Sequence, residues 1–259
     1  MLVEKTGGGK KLSPATVGGI TTLQSRQTFE LSPGEAIYGL GQHQSGVMNY
    51  RGTSVHLQQM NPGESAIPVL VSSRGYGILW DNPAITDVDV GQTSSTNLTW
   101  TSEAADAIDY YFMFGPELDF VIASYRQLTG AAPLFGKWAW GLWQCKNAYA
   151  SQQELLDVVT TYRNANIPLD CIIQDWQWWW NIQNTSIGNR WGSHIFYAPN
   201  YPNPTNLMTT LHATNIHAII SVWARFDVGI QHANELAAVN GLFTNVLNNV
   251  YPPGQGRWY

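Results

Sequence analysis

Short apolar runs broken by turn residues occupy the first third of the chain. Residues 36–40, 53–58, 66–72 and 77–80 each hold a strand's length of aliphatic, β-branched and aromatic positions. Pro33-Gly34, Asn61-Pro62-Gly63 and Asn82-Pro83 punctuate them as turns. A further aromatic run, 109–114, predicts another strand. Residues 118–128 then shift to a helical rhythm, with Phe120, Val121, Ser124, Tyr125 and Leu128 on one side. Many short strands at regular intervals predict a β-sandwich over residues 1–132.

The pattern changes near Pro133. Residues 138–143 form a continuous apolar stretch, as expected of a buried parallel strand. Ser151 and Glu154 have capping-box spacing, and Leu155, Val158, Val159 and Tyr162 follow at helical intervals up to Ile167-Pro168. Residues 169–176 read as a second strand, followed by a long insertion from 177 to about 203. Pro204 at a first helical position opens a helix carrying Leu207, Met208 and Leu211, with Asn215 as its stop. Residues 217–223 give a third strand and 230–240 a third helix, with Gly241 after it. The order β-α-β-α-β-α over residues 133–259 predicts the first three units of a (β/α)8 barrel, which needs eight units and typically ~250 residues. The expected fold is therefore α/β plus β: a sandwich followed by an incomplete TIM barrel, with the chain stopping inside that domain.

Composition narrows the partners. The net charge of −5 argues against nucleic acid or an anionic membrane surface. No apolar run reaches the ~18 residues of a membrane span. The start lacks the apolar core of a signal peptide, which leaves the compartment open, the periplasm and the cell exterior included. Oligomeric state is also left open. Two cysteines, Cys145 and Cys171, read as buried thiols on neighbouring strands; a bridge would require those strands to pair suitably.

Tryptophan is the outlier. Eight of the 12 fall between Trp138 and Trp191, a density that no core requires. Flat indole faces stack on sugars or bases, and the negative charge favours sugar. Asp175-Trp176 closes the second strand, at the end where β/α folds place their chemistry. A carboxylate accepts hydrogen bonds from vicinal hydroxyls, and Trp176, Trp178, Trp179 and Trp180 follow it as stacking surfaces. The alternative is a carboxylate capping its loop while the tryptophans pack the barrel rim. Trp223, ending the third strand, and Tyr149, after the first, carry the same two readings. Asp170 lies towards the other end of the Asp175 strand and reads as a turn partner. The Gly39-Leu40-Gly41 stretch lacks the third glycine of a dinucleotide site, no phosphate loop occurs, and the six histidines fall in no metal-ligand spacing. No cofactor and no metal are expected.

These residues carry a family resemblance. Phe135-Gly-Lys-Trp-Ala-Trp-Gly-Leu-Trp143, Tyr149 with Ser151-Gln-Gln-Glu154, Ile167-Pro-Leu-Asp170 and Gln174-Asp-Trp176 resemble glycoside hydrolase family 31, the α-glucosidases, α-xylosidases and relatives. Tyr38-Gly-Leu-Gly-Gln-His-Gln44, Asn49-Tyr-Arg-Gly52 and Ser72-Ser-Arg-Gly-Tyr-Gly-Ile-Leu-Trp-Asp81 resemble its N-terminal galactose-mutarotase-like sandwich. Trp191-Gly-Ser-His194, Pro202-Asn-Pro204 and Ser221-Val-Trp223 continue the match. In detail the pattern is most similar to the bacterial α-xylosidases.

The resemblance implies retaining hydrolysis of terminal, non-reducing α-xylosides or α-glucosides. One Asp acts as nucleophile and a second as acid and base, ~5–5.5 Å apart. Both lie on later strands in the family, and no residue here matches either, so the catalytic pair is expected beyond the C-terminal end and this chain alone is expected to be inactive. What carries over is the sugar subsite: Asp175 as hydroxyl acceptor, Trp223 and Trp176 as walls, and Tyr149 from the first-strand loop. A transglycosylase or lyase of the family, or a non-catalytic carbohydrate-binding protein, would share these early residues.

Overall fold

The computed structural model describes residues 2–59, 64–176, 178–179, 192–223, 225–227, 229–241, 247–248 and 256–258. The chain divides into two compact units, Met1–Pro133 and Leu134–Tyr259.

The first unit is a sandwich of two antiparallel sheets. One holds β1 (Lys10–Val17), β2 (Ile20–Glu30), β4 (Thr53–Leu57), β7 (Thr86–Val90) and β8 (Asn97–Ala105), ordered β1-β2-β8-β7-β4. The other holds β3 (Ile37–Gln42), β5 (Ser65–Ser72), β6 (Tyr76–Trp80) and β9 (Tyr110–Phe114), ordered β3-β5-β6-β9. Alternation fills the space between them. Phe29, Leu40, Leu70, Ile78, Val88, Leu98 and Trp100 are fully buried in one cluster. Trp80 stacks on Trp100 at 5.5 Å, and its Nε1 donates to Ser102 Oγ at 2.9 Å, so the indole is buried with its donor satisfied.

The Gly39-Leu40-Gly41 stretch is a structural device. All three residues have φ between 61° and 99°, and the pairing register of β3 with β5 shifts there. A β-carbon on Gly41 would lie 1.8 Å from the Ser65 carbonyl oxygen, so only glycine permits this bulge. Helix α1 (Leu118–Thr129) lies against β6 and β9. Of the face expected to be apolar, only Val121 is buried; Phe120 and Leu128 are exposed.

The second unit carries three parallel strands, β10 (Trp143–Lys146), β11 (Cys171–Gln174) and β12 (His217–Ile220), in that order across the sheet. Helices α2 (Gln152–Asn164) and α3 (Pro204–Ala213) connect them, and α4 (Gln231–Ala238) follows. Ser151 Oγ accepts from the Glu154 amide at 3.1 Å, as the capping spacing predicts, but the Glu154 carboxylate accepts from the Ala150 amide and pairs with Lys146. Asn203 caps α3, with Pro204 in its first turn. Asn166 and Asn215, both at φ 55°, turn the chain out of α2 and α3 towards the next strand. Three further short strands, β13 (Arg225–Asp227), β14 (Leu247–Asn248) and β15 (Gly256–Trp258), form an antiparallel sheet.

Two expectations need correction. The 138–143 stretch is not a buried strand: Lys137–Trp140 is a 3-10 turn, Trp140 is 79% exposed, and the strand begins only at Trp143, where pairing with Cys171 starts. Nor are the cysteines two buried thiols, since Cys171 is buried but Cys145 is exposed, and both are free. Trp143 pairs with Cys171 and Cys145 with Ile173, so the thiols are diagonal. Strand geometry puts such α-carbons roughly 8 Å apart, beyond the ~7 Å reach of a disulfide.

Candidate functional site

The three strands end level. Lys146 pairs with Gln174, and Gln174 with Ile220, so the loops after them rise from one edge of the sheet. Asp175 is the first residue past β11 and Trp176 the second, while Tyr149 and Trp223 each stand three residues past their strands.

Asp175 is half-buried. Its Oδ1 accepts from the Trp176 amide at 2.7 Å, and its Oδ2 lies 3.8 Å from the Cys145 sulfur. Cys145 is exposed as a residue, but partial desolvation of its sulfur raises the thiol pKa above its ordinary value, and the Asp175 charge adds to the rise. Trp176 is held from the first loop, its Nε1 donating to Asn147 Oδ1 at 2.8 Å. Trp176 and Trp223, both partly buried, pack against one apolar cluster that also contains Tyr149.

Tyr149 sits deeper, at 1% exposure. Gln144 Nε2 reaches its hydroxyl at 3.4 Å. Burial pushes its phenol pKa up. The Tyr201 hydroxyl lies 2.6 Å from the Tyr149 carbonyl oxygen and 2.8 Å from Gln174 Oε1. Gln174 and Tyr201 thus tie the first loop to the end of β11 from within the core. Sequence reasoning missed both, although a glutamine closing an apolar strand is a visible signal.

The tryptophan run behaves differently from the expected stacking surface. Trp178 and Trp179 are each 1% exposed and pack edge to face at 5.2 Å. Trp178 Nε1 donates to the Ser221 carbonyl at 2.9 Å, which stitches the second loop to the third. These two indoles build the rim; Trp180 lies outside the described residues. Asp170 is the turn partner that its position predicts, its Oδ2 accepting from the Leu142 amide at 3.2 Å.

His194 stacks against Trp178 at 6.2 Å, and its Nε2 is buried with no hydrogen-bond partner among the described residues. Burial and the neighbouring His232 lower its pKa. Among the described residues, no group of three or more His, Cys, Asp or Glu side chains is placed to hold a metal ion, and no helix is long and apolar enough to cross a membrane.

A carboxylate next to one partly exposed indole, with a second following the adjacent strand, can bind a polyhydroxylated ring: hydrogen bonds from the ring's hydroxyls, stacking on its apolar face. Residues 132–258 match the description "Glycosyl hydrolases family 31 TIM-barrel domain", and residues 6–89 match "Glycosyl hydrolase 31 N-terminal galactose mutarotase-like domain". An α-xylosidase of Saccharolobus solfataricus is 39% identical over 80% of this chain, which spans 28% of that protein. A family 31 glucosidase of Pseudescherichia vulneris is 34% identical over 83% of the chain, which spans 38% of it. A crystal structure of a soil-metagenome α-xylosidase complexed with xylose superposes with TM-score 0.84 at 28% identity, covering 97% of this chain and 35% of that one.

Proposed function

As the chain belongs to glycoside hydrolase family 31, we propose that it supplies the sugar-holding early part of a retaining α-glycosidase acting on terminal, non-reducing α-xylosides or α-glucosides. The chain spans well under half of the relatives it matches, so this activity is assigned to a protein that also contains the later barrel strands. In this reading residues 1–132 are the mutarotase-like sandwich and 133–259 the first part of the catalytic barrel. The nucleophile and the acid/base carboxylate are contributed by strands outside this chain.

One observation carries the proposal. Asp175 stands one residue past the central strand, with Oδ1 accepting from the Trp176 amide, Oδ2 near the Cys145 sulfur of the adjacent strand, and the Trp176 indole next in sequence. Asp175 accepts hydrogen bonds from hydroxyls of the terminal sugar, Trp176 and Trp223 wall it, and Tyr149, buried in the cluster that both indoles pack against, supports the walls. The xylose-bound relative favours a pentose or a hexose of the same configuration as the occupant. Ligand-observed NMR titration of the chain with xylose, glucose and an acyclic polyol tests this. Saturation transfer to both sugars and not to the polyol is expected; equal signals for all three would overturn it.

A further inference from the structure

The described site leaves one chemical group at its edge unused. Cys145 is the third residue of β10, exposed, and reaches across to the residue that follows β11. We propose that Cys145 is a positioning residue for Asp175, its S–H holding Oδ2 while the Trp176 amide holds Oδ1. This rests on Asp175 being the sugar-binding carboxylate.

The geometry supports the assignment in three ways. The Cys145 sulfur lies 3.8 Å from Oδ2 and 3.7 Å from the Lys146 carbonyl oxygen, so its one hydrogen has two acceptors in reach, while the 2.7 Å N–H···Oδ1 bond fixes the other carboxylate oxygen. Each oxygen keeps a second lone pair for a sugar hydroxyl. The thiol has no competing role as a bridge, because Cys171 is buried and diagonal to it. Although the residue is exposed, partial desolvation of its sulfur and then the Asp175 charge favour the protonated thiol, a donor to the carboxylate rather than a repelling thiolate. A thiol is a weak donor, so its contribution is orientation of a group that would otherwise rotate about its last side-chain bond.

The test uses the full 259-residue chain. Iodoacetamide alkylation at neutral pH is followed by peptide mass spectrometry, and the ratio of Cys145 to Cys171 modification is compared between the wild type and Asp175→Asn. Removing the negative neighbour should raise that ratio ~3-fold or more. In parallel, xylose affinity is measured for Cys145→Ala, Cys145→Ser and Asp175→Ala. Cys145→Ala should weaken binding about threefold, Cys145→Ser should restore most of the loss, and Asp175→Ala should cost more than either. An unchanged alkylation ratio overturns the positioning role. So does wild-type affinity in Cys145→Ala when Asp175→Ala is impaired, and that result leaves the sugar site standing. Wild-type affinity in Asp175→Ala overturns both.

Discussion

The carboxylate of Asp170 occupies the space where residue 141 would carry a β-carbon. A β-carbon built on Gly141 lies 2.0 Å from Asp170 Oδ2, and the same oxygen accepts from the Leu142 amide. The backbone completes the clasp: the Asp170 and Cys171 amides both donate to the Leu142 carbonyl, at 3.0 and 3.2 Å. Glycine at 141 and aspartate at 170 are therefore one joint, which starts β10 alongside β11.

Gly141→Ala should destabilise the second unit by about 1–3 kcal/mol, because the carboxylate must leave and its acceptor role goes with it. Denaturant unfolding followed by barrel tryptophan fluorescence checks this. A midpoint unchanged from wild type would show that the clasp yields freely.

The sandwich has its own buried polar joint. Glu35, 1% exposed, accepts from the Ser72 and Tyr76 hydroxyls at 2.5 Å each and from the Ser32 amide at 2.9 Å. Glu35→Ala strands these donors in the interior, at a cost of about 1–3 kcal/mol for each one left unsatisfied. A thermal melt lowered by well under 5 °C would mean that water reaches the gap and replaces the carboxylate.

A pH effect follows from His194. Its folded pKa lies below the ordinary 6.5, chiefly through burial and then through His232. The folded state stays neutral while the unfolded chain takes up a proton, so stability is full above 6.5 and declines as pH falls towards the folded value. His194→Asn, which tolerates the left-handed backbone there, should flatten this part of the pH dependence. Denaturant midpoints at pH 7.5 and 5.5 measure it; an equal loss in both proteins would contradict it.

Much of this organisation is legible in the sequence, wherever local chemistry decides. Ser151, Pro204 and Asn215 mark helix ends by their own hydrogen-bonding and backbone preferences, and the structure puts α2 and α3 there. Strands with few aliphatic residues escape a reading keyed to apolar runs. The Thr-Asp-Val-Asp-Val of β7 alternates faithfully between buried and accessible positions, yet two aspartates hide it. The β1–β2 hairpin, turned at Gly18 and Gly19, is polar along most of its length. The tryptophan run fails for another reason. Past the end of β11 no periodicity says which way a side chain points, and the Ser221 carbonyl, 43 residues away, satisfies Trp178 and draws it inside. The place of Asp175 at a strand end is legible in the sequence; its contact with Cys145 depends on strand register, which only the fold supplies.

The most direct measurement of the central claim is the affinity of the chain for xylose and glucose with and without the Asp175 carboxylate. If Asp175 accepts sugar hydroxyls, Asp175→Ala should weaken binding about tenfold or more, the loss of at least one charge-assisted hydrogen bond, while far-UV circular dichroism and the melting transition stay close to wild type. An affinity within threefold of wild type in a variant that keeps its fold would contradict the account and return Asp175 to the role of a loop cap.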